Sequence, residues 1–207
     1  MNGIEVERVK MATSRIVTKP PRVRRPSVAT GVWVNAMTVI TAGHTLEAMD
    51  DVKAEHPGKE VGHRYYHQVW EFNGKVSSYQ LRVDKGNVLN DGPYENDIAI
   101  LKSVGFAFGE AAEIDLDTHV PIGAKVAVLG YPSQYNDQWI SQQHPSIQDA
   151  LAAYHEALTL LPEDHLCVTY GDVTSVGEIQ HYNISSAPGM SGGPVVYNGR
   201  VVGIETA

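Results

Sequence analysis

Short runs of β-branched and aromatic residues, each bounded by turn-forming residues, recur along the sequence and constrain the fold more than any other feature. The runs lie at 28–34, 37–42, 67–72, 75–83, 97–102, 125–131, 166–170, 173–182, 193–197 and 201–204. Asn198-Gly199 separates the last two, and this dipeptide is the strongest short-range hairpin signal. Such a pattern is typical of barrels and sandwiches, so we expect a mostly β protein. Because the runs cluster on both sides of a polar connection near residue 115, we expect two β units, at 28–115 and 116–207.

One segment departs from the β pattern. Between Pro145 and Pro162, apolar residues recur at steps of three and four, namely at Ile147, Ala150, Leu151, Tyr154, Ala157, Leu158 and Leu161. Pro145 is a helix start signal and Pro162 a stop signal. The sequence therefore predicts an amphipathic helix at 145–161, inserted into the second unit. We favour packing on a barrel over a lid that covers a cleft.

Residues 1–27 form a basic segment on an otherwise acidic chain. They contain seven basic and two acidic residues, a net charge of +5, whereas the rest contains nine basic and 22 acidic residues, a net charge of −13. Pro20, Pro21 and Pro26 discourage regular structure. Docking on the body, binding to an anionic partner and solvation all remain open, and we favour a solvated N-terminal arm.

The composition excludes several classes of protein. The 207 residues are 43% hydrophobic, which is enough for one sizeable core or two small ones. The formal charge of −8 argues against a general nucleic-acid binder, since phosphate binding relies on clustered lysine and arginine. No apolar run approaches the roughly 18 residues that a membrane-spanning helix needs. We therefore expect neither a nucleic-acid partner nor a membrane-spanning segment.

Cysteine and histidine usage argues against a metal site. Cys167 is the only cysteine, which excludes an internal disulfide and a multi-cysteine zinc site, and its apolar neighbours predict a buried core residue. His56, His63 and His67 lie in strand-like sequence, where positions 63 and 67 are about 13 Å apart, too far to bind one ion. We expect no metal. No secretory signal is visible, and the single cysteine weakly favours an intracellular location, although the compartment stays undetermined.

Three short motifs carry residues with catalytic chemistry. They are residues 41–44 (TAGH), 96–101 (NDIAIL) and 187–194 (APGMSGGP). A serine hydroxyl is a poor nucleophile at neutral pH and needs an imidazole to take its proton, a role for which His44 is the candidate and Ser191 the nucleophile. A buried carboxylate on the other ring nitrogen fixes the tautomer, and Asp97 is placed for it. The glycines beside Ser191 allow the amides of Gly189 and Ser191 to converge on a developing oxyanion.

These motifs, in the order histidine, aspartate, serine, resemble those of the trypsin-like, chymotrypsin-fold serine endopeptidase family. The resemblance spans 28–207, is specific at the motifs and is weak between them. It implies two antiparallel six-stranded β-barrels, with the triad in the cleft between them. It also implies cleavage of polypeptide substrates through an acyl-enzyme, without a cofactor.

Two departures from the family concern activation and specificity. Met190 stands where zymogen-activated members have an aspartate that pairs with a newly freed N-terminal amine, so we expect no activation by cleavage after Arg15. The pocket-floor residues are Ser185 and Ser186, without the aspartate that selects arginine or lysine. We therefore expect an apolar, small or polar residue before the scissile bond. Glu205 is the one nearby carboxylate that would reverse this preference, and strand alternation leaves its direction open.

A third departure concerns the second barrel. Five strand candidates follow residue 120, where the family has six, and the sequence stops within the fifth. We expect a second barrel that is incomplete at the C-terminus. This feature favours an alternative function, a catalytically silent binding or scaffold module, or an inactive partial chain, on the same fold. The presence of all three triad residues favours an active enzyme.

Overall fold

The computed structural model describes residues 3–19, 27–46, 51–57, 68–70, 76–86, 97–132, 165–175, 180, 182–183, 186 and 189–206. The helix predicted at 145–161 lies outside these ranges, as do Ser185, His63 and His67. In chain order the elements are α1 (Gly3–Met11), β1 (Thr13–Lys19), β2 (Ser27–Asn35), β3 (Thr38–Thr41), a 3₁₀ helix (Gly43–Leu46), β4 (Asp51–Pro57), β5 (Gln68–Trp70), β6 (Val76–Gly86), β7 (Ala99–Ser103), β8 (Lys125–Gly130), β9 (Leu166–Val173), β10 (Tyr182–Asn183), β11 (Pro194–Tyr197) and β12 (Arg200–Ile204).

Six antiparallel strands close the first barrel, in the order β1-β2-β3-β7-β6-β4. The first two runs of the sequence, 28–34 and 37–42, form a hairpin around Asn35-Ala36, since β2 pairs directly with β3. Burial alternates along β7, as expected for a strand with one face in the core. This alternation fixes the register of β7 against β3. That register brings two of the predicted site residues side by side.

The second unit is an antiparallel sheet of six strands, in the order β10-β9-β8-β11-β12, with β5 also paired to β9. Five of these strands follow residue 120, the number that the sequence predicted. The predicted run at 173–182 is wrong as one strand, because β9 ends at Val173, Thr174 and Ser175 lie outside any strand, and β10 is only Tyr182–Asn183. The sixth, β5, comes from residues before the predicted boundary near 115, which the sequence pattern did not indicate. The fold is mostly β with two curled antiparallel sheets, which confirms the predicted chymotrypsin-like class.

The N-terminal segment is part of the first barrel, so the favoured interpretation of a solvated arm is wrong over residues 3–19. Strand β1 pairs with β2 on one side and β4 on the other. Val6, Val9 and Ile16 are fully buried, because helix α1 and β1 direct their few apolar side chains at the core. The amide of Trp33 also donates to the carbonyl oxygen of Ala12 at 2.8 Å. Of the three alternatives left open by the sequence, docking on the body is the correct one for these residues.

Ion pairs accompany this docking. Arg8 donates to Glu113 at 3.0 Å, and Glu113 also pairs with Arg200 at 3.3 Å. All three side chains are half-exposed, so each pair contributes little to stability. Lys10 is different, because its side chain is 4% exposed and its ammonium lies 2.7 Å from Glu7. Arg8 of α1 is therefore paired with the acidic body, whereas the ion pair of Lys10 lies within α1.

One hydrophobic core joins the two sheets. Trp33 stacks on Phe108 with ring centroids 4.6 Å apart and meets the edge of Tyr79 at 5.6 Å. The same cluster of buried side chains continues to Leu129 on β8 and Val168 on β9. Because dense packing transmits position from one element to the next, this core holds the strand ends of the two sheets in a defined relation.

Candidate active site

His44 follows one strand and Asp97 precedes another, and these two strands are neighbours in the first barrel. His44 lies in the 3₁₀ helix directly after β3, and Asp97 lies two residues before β7. The strands are antiparallel, with Thr41 opposite Ala99, so the end of β3 and the start of β7 lie side by side. Residues 53 positions apart in sequence are thereby brought together.

The contact between these two residues is made at two points. The carboxylate oxygen Oδ2 of Asp97 lies 2.6 Å from Nδ1 of His44, and Oδ1 accepts the backbone amide of His44, also at 2.6 Å. The Asp97 side chain is 2% exposed and the His44 ring 33% exposed. Because an ionised carboxylate only accepts hydrogen bonds, Nδ1 carries the hydrogen and Nε2 is the ring atom that can accept a proton. This is the arrangement that a general base requires.

Ser191 lies in a tight turn before β11, which we call the serine loop (residues 189–193). Gly189 has a φ of +92°, a left-handed conformation that residues with a side chain rarely adopt. The amide of Gly193 donates to the carbonyl oxygen of Met190 at 2.9 Å and closes the turn. The backbone geometry thus requires the glycine that the sequence analysis identified at 189.

Strand β2 holds the serine loop from the first barrel. The amide of Thr30 donates to the carbonyl oxygen of Ser191 at 2.9 Å, and its hydroxyl donates to the carbonyl oxygen of Gly189 at 2.8 Å. Gly192, with a φ of +85°, packs so closely that a Cβ there would collide with the carbonyl oxygen of Thr30 and the hydroxyl of Thr41. The sequence analysis missed Thr30, because a threonine in a β-branched run carries no motif.

These contacts place the serine loop at the end of β3 that leads to His44. A Cβ at position 192 would lie 2.7 Å from the amide nitrogen of Ala42, two residues before His44. The structure therefore sets the three predicted residues on adjoining pieces of backbone and shows direct contact between His44 and Asp97. The complete triad remains a prediction, which we develop below.

Two of the three predicted pocket residues also lie together. The hydroxyl of Ser186 donates to Oε1 of Glu205 at 3.1 Å, and Glu205 is 2% exposed. The backbone of Glu205 is hydrogen-bonded to the serine loop, with its amide on Gly193 at 2.8 Å and its carbonyl oxygen on Gly192 at 2.7 Å. The side chain of Glu205, whose direction the sequence left open, therefore points inward.

Burial raises the pKa of the Glu205 carboxyl group to about 8, so the group is mostly protonated at neutral pH.

This raised pKa predicts a pH-dependent stability. The ordinary value is 4.5, so between about pH 5 and pH 8 the folded chain keeps a proton that the unfolded chain releases. The free energy of unfolding should fall as the pH rises through this window, by roughly 1.4 kcal/mol for each unit of the shift at most. Urea unfolding at four pH values should show that Glu205→Gln flattens this dependence. The exposed Glu110 supplies a control, Glu110→Gln, and equal slopes in both variants would contradict the prediction.

Met190 is fully buried in the serine loop, against Gly130 of β8. It occupies the place where zymogen-activated relatives have an aspartate. Ile16, the residue whose amine would pair with such an aspartate after cleavage at Arg15, lies in β1 and is paired to strands on both sides. Packing of a thioether side chain therefore accompanies the loop conformation. The absence of activation by cleavage after Arg15 stays a prediction.

Among the residues that the structure describes, no three metal-ligating side chains lie close enough together to hold an ion. Among the same residues, no helix has the length and apolar character that crossing a bilayer requires. Cys167 is fully buried, as predicted, and burial raises the pKa of its thiol well above the ordinary range. A neutral buried thiol is inert, so its role is packing.

The buried aspartate–histidine pair lies beside a glycine-rich turn that carries Ser191, on a mostly β fold of two antiparallel sheets. Residues 29–204 match the sequence pattern of the trypsin-like peptidase domain, and the chain belongs to that family. No curated protein that was compared with the chain matches it.

Two solved structures share the fold. The serine endoprotease from Yersinia pestis is 18% identical, with a TM-score of 0.58 over 98% of this chain and 56% of that one. Deg5 is 14% identical, with a TM-score of 0.63 over 99% of this chain and 83% of that one. The chain thus spans just over half the length of the Yersinia protein. At these identities the likeness concerns the fold alone.

Proposed function

We propose that this chain is a serine endopeptidase that cleaves peptide bonds of polypeptide substrates through an acyl-enzyme. The observation that carries the proposal is the two-point contact of the buried Asp97 carboxylate with His44. Burial of a carboxylate is costly, and both of its oxygens are directed at one histidine. Such an arrangement fixes the tautomer and orientation of the ring, which a purely structural histidine does not need.

The reaction begins when Oγ of Ser191 attacks the carbonyl carbon of the scissile bond. Nε2 of His44 accepts the serine proton, and Asp97 stabilises the imidazolium that forms. The oxygen of the tetrahedral intermediate becomes negative and is stabilised by the amides of Gly189 and Ser191, where one donor is worth roughly 2.7–4 kcal/mol. His44 then gives its proton to the departing amine, which leaves the acyl group on Ser191.

Water completes the cycle by the same route. His44 removes a proton from a water molecule, which attacks the acyl carbonyl and forms a second tetrahedral intermediate. This intermediate collapses, the carboxylic acid product departs, and Ser191 recovers its hydrogen from His44. All steps are proton transfers and acyl transfers between the substrate, water and three side chains of this chain, so the mechanism requires no cofactor.

The proposed pocket carries little negative charge at neutral pH. Ser186 contributes a hydroxyl, and the raised pKa of Glu205 keeps its carboxyl group mostly neutral. A pocket that selects an arginine or lysine side chain needs a fixed negative charge, which forms an ion pair with the substrate in a desolvated site. We therefore propose that the residue before the scissile bond is apolar, small or polar.

A peptide library of mixed sequence tests both proposals. Incubation with the wild-type chain at pH 7 should give cleavage products whose new C-terminal residues are not enriched in arginine or lysine. Ser191→Ala should give no products above background. Products dominated by basic residues would contradict the specificity proposal, whereas a wild-type chain that produces no cleavage would favour the silent binding module.

A further inference from the structure

Thr30 lies behind the serine loop, is fully buried, and has all its polar atoms in hydrogen bonds. Its hydroxyl donates to the carbonyl oxygen of Gly189 at 2.8 Å and accepts the amide of Tyr131 at 2.9 Å. Its amide donates to Ser191, and its carbonyl oxygen accepts the hydroxyl of Thr41 at 2.6 Å. A hydroxyl has one hydrogen to donate. Because the amide of Tyr131 donates in its contact with Thr30, the hydrogen of the Thr30 hydroxyl goes to the carbonyl oxygen of Gly189.

These contacts fix the peptide planes around the proposed oxyanion site. The Gly189 carbonyl belongs to the peptide before Met190, and the Ser191 carbonyl belongs to the peptide before Gly192, so Thr30 holds both. The peptide between them contains the amide of Ser191. Its carbonyl, on Met190, is held by the amide of Gly193 at 2.9 Å. Because a peptide is planar and trans, the Ser191 amide must then point the opposite way from the Met190 carbonyl.

Glycine makes this external support necessary. Gly189 has a φ of +92° and no Cβ, so the serine loop has more backbone conformations available than an ordinary turn. Without a partner for its carbonyl oxygen, the peptide after Gly189 would be free to rotate, and the amides on either side would lose their common direction. The Thr30 hydroxyl is the side-chain donor that satisfies this carbonyl.

We propose that Thr30 is a positioning residue for catalysis, whose hydroxyl keeps the amides of Gly189 and Ser191 directed at the oxyanion of the tetrahedral intermediate. The inference rests on the proposed function of Ser191 as a nucleophile. Thr30 acts through the backbone of the serine loop and does not touch the substrate. Loss of its hydroxyl should therefore slow the chemical step and leave substrate binding nearly unchanged.

Steady-state kinetics on a peptide cleaved by the wild-type chain test this role. Thr30→Val keeps the shape and removes the hydroxyl, and kcat should fall about 10- to 100-fold with KM within about twofold. Thr30→Ser keeps the hydroxyl and should restore kcat to within about threefold of the wild-type value. Thr13 provides a matched control, because it is also buried and its hydroxyl donates to the carbonyl oxygen of Val9 at 2.7 Å, in the N-terminal segment.

Thr13→Val should lower thermal stability but leave kcat unchanged. The inference is overturned if Thr30→Val and Thr13→Val have the same kcat, or if Thr30→Ser is as slow as Thr30→Val. If Thr30→Val does not fold, Thr30→Ala replaces it, since Ser and Ala both lack the methyl group and differ in the hydroxyl. An inactive wild-type chain would refute the proposed function itself, and this inference with it. An active wild-type chain whose Thr30 variants all keep full kcat refutes this inference alone.

Discussion

Replacement of Ser191 or His44 by alanine should reduce kcat by a factor of at least about 10⁴ and leave the fold intact, because each residue performs a step that no other group can perform. Asp97→Asn should lower kcat by about 10⁴, since an amide that donates to His44 favours the wrong tautomer. The double variant of Ser191 and His44 should be little slower than the slower single variant, as expected for residues that act as a unit.

Exposed residues of the same types supply controls for this series. His119 and Asp117 are both exposed, and His119→Ala and Asp117→Asn should leave kcat within about twofold of the wild-type value. Hydrolysis of a cleaved peptide gives the rates, and circular dichroism with thermal unfolding reports whether each variant is folded. An unchanged rate in Ser191→Ala would end the triad hypothesis, because no other residue is proposed as the nucleophile.

Substitution of Gly192 by alanine should strongly destabilise the fold. The new Cβ would collide with the carbonyl oxygen of Thr30 and the hydroxyl of Thr41, and the φ of +85° is strained for alanine. The colliding atoms include backbone of the first barrel, which cannot move without disturbing its pairing. We expect a loss of more than about 4 kcal/mol in the free energy of unfolding, together with the loss of activity.

Gly105 separates the two causes of this loss. Its φ is +81°, but a Cβ there would have no atom within 4 Å. Gly105→Ala should therefore carry only the cost of the left-handed conformation, about 1–2 kcal/mol. Urea unfolding of both variants measures the difference. Equal losses would show that the close contact between Gly192 and the first barrel does not exist in solution.

The motifs of the site could be predicted from sequence because they depend on local requirements. His44, Asp97 and Ser191 each lie next to a strand with a strong β-branched signal, and the glycines around Ser191 follow from a turn with positive φ. The same holds for the hairpin of β2 and β3, whose strands are adjacent in sequence and in the barrel. Turn chemistry and alternation act over a few residues, so a sequence pattern contains them.

The features that the sequence did not predict depend on distant pairing. Strand β1 joins the barrel by pairing with β4, more than 30 residues later, and its basic neighbours obscure the buried positions of Val6, Val9 and Ile16. Thr30 gains its contacts from a loop about 160 residues away. Such contacts are decided by tertiary packing, which local propensity does not report.

The direction of Glu205 was hidden for a different reason. The pairing of β11 with β12 contains a bulge, in which Val195 and Val196 face Gly203 and Val201. Successive residues of one strand thus lie opposite residues two apart in the other, and the simple alternation of faces does not continue through the hairpin. The burial of the Glu205 side chain and its hydrogen bond with Ser186 show that it points inward.

Labelling with a fluorophosphonate tests the central claim most directly, since this reagent reacts with an activated serine and not with the fold alone. Mass spectrometry of the labelled wild-type chain should find the added mass on the peptide that contains Ser191. Ser191→Ala should not be labelled, and His44→Ala should be labelled much more slowly, while His119→Ala should react at the wild-type rate. A folded wild-type chain that remains unlabelled, or that carries the label on another serine such as Ser186, would contradict the assignment of Ser191 as the nucleophile.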